Sequence, residues 1–280
     1  MLREIKTRLG IKHINMVTWN SKEIPQEVYK YRDWENEFHK NILLNQEIFF
    51  SSPRSFNDPF DCRLQIAYHL LKDDKKLQFE YFNLVVSRHF PNYSKDQHDK
   101  EVRRLISEGR FNNEEYIKES NERSINQLHD LYGILSLTAV NDNILMWAHY
   151  SNDHNGFCVG FDSVKLFDYF GGGGGEVNYE EKYPAILPTD DSIIQMLKQT
   201  YTKASFWDYE IEYRLIKRNF ANKALIIPKE FITEVILGYK ISEPNEKEIL
   251  NIVSHKLPHV KILKTNPKKL EFEFELVSIE

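Results

Sequence analysis

Period-two alternation runs from Phe206 to Lys217, FWDYEIEYRLIK. In an extended strand Tyr209, Ile211, Tyr213 and Leu215 share one face, and Glu210, Glu212 and Arg214 share the other. Such a strand holds two carboxylates side by side. Further β-rich runs are YKYRDW from Tyr29, EIFFSSP closed by Pro53, YGILSLTAV at 132–140 and GFCVGFD at 156–162. Two more flank Pro228 in ALIIPKEFITEVILGYKI, and VKILKTN and KLEFEFELV end the chain. Helical spacing predicts helices in NEFHKNILL, NDNILMWAHYS and SIIQMLKQTYTKA, and in EPNEKEILNIVSHKL with Ile249, Leu250, Ile252 and Val253 inward. Between Leu64 and Leu131 the same spacing predicts three helices, broken near Pro91 and Gly109.

EVNYEEKYP reads as an edge strand, and the unbroken run Gly171 to Gly175 as a flexible tip. Residues 1–28 carry little pattern and form a lead-in. Residues 29–280 then make one α+β domain with a mixed, largely antiparallel sheet of roughly eight or nine strands and a helical block inserted at about 64–131.

Composition narrows the class. A hydrophobic content of 41%, 13% of residues being aromatic, supports a sizeable core and excludes general disorder. A formal net charge of −5 gives no overall pull toward nucleic acid or an anionic membrane. Cys62 and Cys158 are the only cysteines and form no CxxC, against a disulfide scaffold or structural zinc and in keeping with a reducing cytoplasm. No secretory core opens the chain and no run is apolar enough for a bilayer, so a cytoplasmic protein without a membrane partner is expected.

Several residues carry candidate chemistry, each with a structural alternative. Paired Glu210 and Glu212 can divide protonated and ionised roles, or can be a solvated face that Arg214 neutralises. Ser136 and Thr138 project together from LSLT toward a ligand or toward backbone partners. Arg32 can fork onto a phosphate or pair with Asp33 or Glu35. His149 can act as a base or sit favourably at its helix C-terminus. Asn57, Asp58 and Pro59 make a turn. The chain has no Walker loop, no G-x-G-x-x-G and no G-x-S-x-G.

Together YKYR, FFSSPRSFNDPFD, ILSLT, NILMWAHYSNDHNGFCVGFD, SFWDYEIEYRLI and FITEVILGYKI resemble the bacterial family known as domain of unknown function 2971, from Tyr29 to about Ile241. A looser resemblance is to the ADP-ribosyltransferase superfamily, whose early-strand arginine, Ser-x-Ser/Thr strand and late Glu-x-Glu strand have counterparts in Arg32, Ser136 with Thr138, and Glu210 with Glu212. That resemblance implies an NAD-cleaving fold in which Arg32 holds an NAD phosphate, Ser136 and Thr138 brace the nicotinamide ribose, Glu212 bonds a ribose hydroxyl and Glu210 activates the acceptor. An alternative register takes Tyr31 as the first-strand contact and Ser51 or Ser52, from IFFSS, as the middle strand.

The leading expectation is thus an NAD-using ADP-ribosyltransferase-like enzyme, a toxin or phage-defence effector acting on protein, nucleic acid or NAD itself. Its rivals are a non-catalytic binding or sensing module built on a Glu210, Glu212 and Arg214 charge cluster, and a nuclease holding Mg²⁺ through Asp58, Glu210 and Glu212. The sequence leaves the oligomeric state open.

Overall fold

A computed structural model describes residues 4–7, 10–13, 24–171 and 174–279. Much of the expected lead-in, and Gly172 and Gly173 of the glycine run, lie outside the described residues. The chain divides into two compact units, Met1–Ser55, Tyr132–Tyr179 and Ser205–Glu280 in one and Phe56–Leu131 and Glu180–Ala204 in the other.

In chain order the strands are β1 (Glu4–Thr7), β2 (Gly10–His13), β3 (Glu27–Arg32), β4 (Glu47–Phe50), β5 (Tyr132–Thr138), β6 (Phe157–Asp162), β7 (Gly174–Glu176), β8 (Asn178–Glu180), β9 (Thr202–Ala204), β10 (Glu212–Arg218), β11 (Lys223–Ile226), β12 (Ile232–Leu237), β13 (Lys261–Pro267) and β14 (Phe274–Ser278). The helices are α1 (Glu37–Leu44), α2 (Lys75–His89), α3 (Lys95–Ser107), α4 (Glu114–Leu131), α5 (Ile144–Tyr150), α6 (Ser163–Tyr169), α7 (Ser192–Tyr201) and α8 (Glu243–Lys256).

The first unit is built on an eight-stranded sheet in the order β14-β13-β12-β6-β3-β5-β10-β7. Its neighbours pair antiparallel except β12 with β13, so the fold is α+β with a mostly antiparallel sheet.

Alternation sorts the central strands into two faces. On one, Val28, Leu135, Leu137, Phe157, Val159, Tyr213 and Leu215 form the main core with Ile42 and Leu43 of α1, Leu166 and Phe167 of α6, and Ile249, Ile252 and Val253 of α8. On the other, Tyr29, Tyr31, Cys158 and Ile236 pack with Met146 and Trp147 of α5. Full burial of such side chains is worth about 1.5–3 kcal/mol each before ordering costs.

Helix α8 begins as its sequence predicts, with the Ser242 side chain accepting from the Asn245 amide and Pro244 in the first turn. It is tied down beside β3 where Trp34 Nε1 donates to Glu248 Oε2 at 2.9 Å.

Two expectations are corrected. The segment Ser205–Glu210 is a 3-10 helix and the strand begins only at Glu212, so Phe206 to Lys217 is not one extended run. Ile211 breaks it with a φ of 40°, a left-handed conformation that a β-branched residue rarely adopts. The glycine run also does more than turn, because Gly174 and Gly175 pair with Leu215 and Arg214 as edge strand β7. A Cβ on Gly174 would stand 2.6 Å from the Phe167 ring, so glycine is needed there for close packing.

In the second unit α2, α3 and α4 enclose Leu71, Leu77, Phe82, Val86, Val102 and Phe111. Helix α3 opens on a capping box between Ser94 and Gln97, and Gly109, at a φ of 61°, turns the chain after it. Among the described residues no helix is long and apolar enough to cross a membrane.

Candidate functional site

Strands β3, β5 and β10 bring one set of predicted residues together. Glu212 lies opposite Thr138, Arg214 opposite Ser136, and Tyr29 opposite Thr138 on its other side. Tyr31 follows Tyr29 by two residues, so it shares this face with Ser136, Thr138, Glu212 and Arg214.

Arg214 is fully buried and the Glu212 side chain is 5% exposed. The guanidinium forks onto the carboxylate, Nε to Oε1 at 2.7 Å and Nη2 to Oε2 at 2.9 Å. The Glu212 amide donates to Tyr179 Oη at 2.9 Å. Burial raises the pKa of that phenol above its ordinary value.

Glu210 is reached around the bend at Ile211. Its carboxylate accepts from Tyr150 Oη at 2.6 Å, and its carbonyl accepts from Thr138 Oγ1. Thr138 Oγ1 also accepts from the Val140 amide at 3.1 Å, so its bonds are to the backbone. Asn143 caps α5 by accepting from the Leu145 and Met146 amides, and its Nδ2 donates to Tyr209 O at 3.2 Å. Helix α5 is thereby fastened to the segment carrying Glu210. Tyr31 Oη donates to Val140 O at 3.0 Å, and burial holds its pKa well above the ordinary phenol value. The Tyr31 ring stands edge-on to Trp147 at 5.0 Å.

Arg32 is not part of this group. It pairs with Phe157, one residue out of phase with Tyr31, so it projects from the opposite face. There it lines a cleft of about 590 Å³ with Lys30, His39, Glu47, Ser51 and Asn222. The arrangement of Arg32, Ser136 and Glu212 in one cleft is therefore corrected, because strand alternation separates Arg32 from the other two. In the alternative register Tyr31 does join Thr138 and Glu212, whereas Ser51 joins Arg32. Ser52 is buried, its amide donating to Asn222 Oδ1 at 2.9 Å and its hydroxyl accepting from the Arg54 amide.

Tyr150, Tyr179 and Asn143 were missed as partners of the glutamate segment. No local signal marks them, since Tyr150 reaches Glu210 across 60 positions and Tyr179 reaches Glu212 across 33. His149 rests among the rings of Trp207 and Tyr209, at 6.4 and 6.5 Å. Asp58 makes its expected turn, Oδ1 accepting from the Phe60 amide. Among the described residues no group of three or more His, Cys, Asp and Glu could hold a metal ion.

Burial, reinforced by the neighbouring charges of Arg32 and Lys30, holds the His39 imidazole down at about 4. Between its ordinary value near 6.5 and that value the unfolded chain binds a proton that the folded chain does not. Stability therefore falls as pH drops through this window, on the order of 1–2 kcal/mol once solvent screening is allowed for. Urea denaturation at pH 7 and near pH 4 is expected to show a smaller acid loss for His39→Gln than for wild type; equal losses would contradict it.

The fold and this buried cluster define an α+β protein with a glutamate and arginine pair on β10, the strand next to the β7 edge of its sheet. Residues 146–215 match the model of the family described as "Protein of unknown function (DUF2971)", which bears out the family resemblance over that stretch. The match runs from Met146 within α5, through β6, to Leu215 part-way along β10, and so includes Glu212. No curated protein and no solved structure matches the chain.

Proposed function

We propose that the chain is an NAD-cleaving enzyme of ADP-ribosyltransferase-like fold, working on the sheet face that carries Glu212. The observation that carries this reading is the direct cross-strand pairing of Glu212 with Thr138, flanked on the same face by Ser136 and Tyr31. The order of the Ser-x-Thr strand and the strand bearing the second glutamate supports it, and the Arg32 part of the likeness is given up.

In this reaction the ribose C1′–nicotinamide bond breaks with its electron pair leaving on nicotinamide. A carboxylate fixed near the ribose stabilises the positive charge that develops there. Arg214 forks onto Glu212 and so fixes the orientation of the carboxylate toward a ribose hydroxyl. Glu210, steadied by Tyr150, takes the proton from the water or macromolecular hydroxyl that forms the new bond to C1′. The acceptor is then protein, nucleic acid or water, as suits a toxin or phage-defence effector.

A second reading has its own support. Both Glu212 oxygens are engaged by a fully buried arginine, the arrangement a structural charge cluster in a non-catalytic binding module would show. Incubating the full chain with NAD and following free nicotinamide separates the two. Turnover that falls about 100-fold or more in Glu212→Gln, with the far-ultraviolet spectrum kept, is the expected result. Absent turnover in wild type, or equal turnover in wild type and Glu212→Gln, removes the enzymatic assignment.

A further inference from the structure

The cleft on the other face of β3 is a separate site. We infer that it binds a phosphorylated ligand bearing a planar ring, of the mononucleotide or dinucleotide-fragment class, with Arg32 on the phosphate.

Charge, polar lining, exposed rings and size lead there together. The Arg32 guanidinium is partly buried and makes no hydrogen bond or ion pair among the described residues. A cation drawn out of water without a carboxylate is a costly arrangement, and an anionic ligand relieves it. Lys30, two residues earlier on the same strand face, adds positive charge to the wall while donating to the Ser136 carbonyl. Glu47 is the acidic side chain lining the cleft, and no ion pair ties it to Arg32.

The polar wall is completed by Asn222. Its Oδ1 is spent on the Ser52 amide, while its Nδ2 makes no hydrogen bond among the described residues and can donate to a phosphate or a ring edge. The apolar wall supplies the ring contact. Phe38 and Phe49 line the same cleft although they are 85% and 41% exposed, and aromatic faces left in water beside a cationic pocket suit a stacked base.

Size agrees, since about 590 Å³ falls within the range of small-ligand clefts, roughly 300–1,000 Å³. A bare inorganic anion would leave the aromatic wall uncovered, and an unphosphorylated nucleoside would leave Arg32 unpaired. Neither satisfies both halves of the site. The inference does not rest on the proposed NAD cleavage, because Arg32 and Glu212 leave opposite faces of the sheet.

Calorimetric titration of the full chain at low salt with ADP, adenosine and inorganic phosphate tests it. ADP is expected to bind saturably, with adenosine and phosphate each at least about tenfold weaker. Arg32→Gln is expected to weaken ADP about tenfold or more and Arg32→Lys less, because the planar fork is what a phosphate exploits. Phe38→Ala, at a solvent-exposed position that folding does not depend on, is expected to weaken ADP several-fold and serves if Arg32→Gln does not fold. Glu212→Gln, if folded, is expected to bind ADP as wild type does.

No saturable ADP binding by wild type overturns the inference, as does undiminished binding by Arg32→Gln and Phe38→Ala. Phosphate alone binding as tightly as ADP overturns the ring half. Loss of ADP binding in folded Glu212→Gln alone places the ligand on the other face and also overturns it. Nicotinamide release is read independently, so either idea can fail while the other stands.

Discussion

Arg214→Ala is expected to cost about 3–5 kcal/mol of folding stability, because it leaves the Glu212 carboxylate in the sheet interior without its counter-charge. Arg214 is fully buried and holds both oxygens of Glu212, so its removal takes two charge-assisted bonds from the carboxylate at once. The pair need not be the most stable filling for that space. Desolvating two ions offsets much of their attraction, and Arg214→Met combined with Glu212→Leu is expected to be more stable than Arg214→Ala. Denaturant titrations of the singles and the double measure the coupling. A loss below about 1 kcal/mol for Arg214→Ala would mean that the carboxylate finds solvent and that the cluster is not sealed.

Trp147→Ala is expected to cost a comparable amount, about 3–5 kcal/mol, by emptying the space between α5 and the sheet. The indole is completely buried, touches the Tyr31 ring edge-on, and donates through Nε1 to Asn141 O at 2.9 Å. Trp147→Phe retains a ring but not the donor, so a smaller loss of about 1–3 kcal/mol is expected. Equilibrium unfolding midpoints distinguish the two losses. An alanine variant as stable as wild type would show that α5 does not depend on this anchor.

Elements whose pattern is local were legible in the sequence. The three helices of the 64–131 block and their breaks near Pro91 and Gly109 match α2, α3 and α4, since capping residues and apolar spacing settle them within a few turns. The strands at 132–138 and 157–162 and helix α8 were legible for the same reason. What failed was periodicity read through a break: FWDYEIEY alternates on paper, yet a 3-10 turn and the left-handed Ile211 interrupt it. Glu210 accepts from Tyr150 and Glu212 from Arg214, and the two do not stand as a matched pair on one strand.

The site was legible only where neighbouring strands bring it together. Pairing of Glu212 with Thr138 follows the order of the two motifs, but which face Arg32 takes depends on a single residue of phase. Tyr150 and Tyr179 join through long-range contacts that no spacing rule announces.

That single residue of phase gives β3 an unusual sensitivity to length. Its side chains alternate between an aromatic layer, Tyr29 and Tyr31, and a cationic wall, Lys30 and Arg32. Loss or gain of one residue within the strand would exchange the two sets, driving two cations among Trp147, Met146 and Cys158 and turning two tyrosines into the charged cleft. Substitutions in this strand alter one face at a time, whereas an indel rewrites both, so its length is constrained more tightly than its spelling.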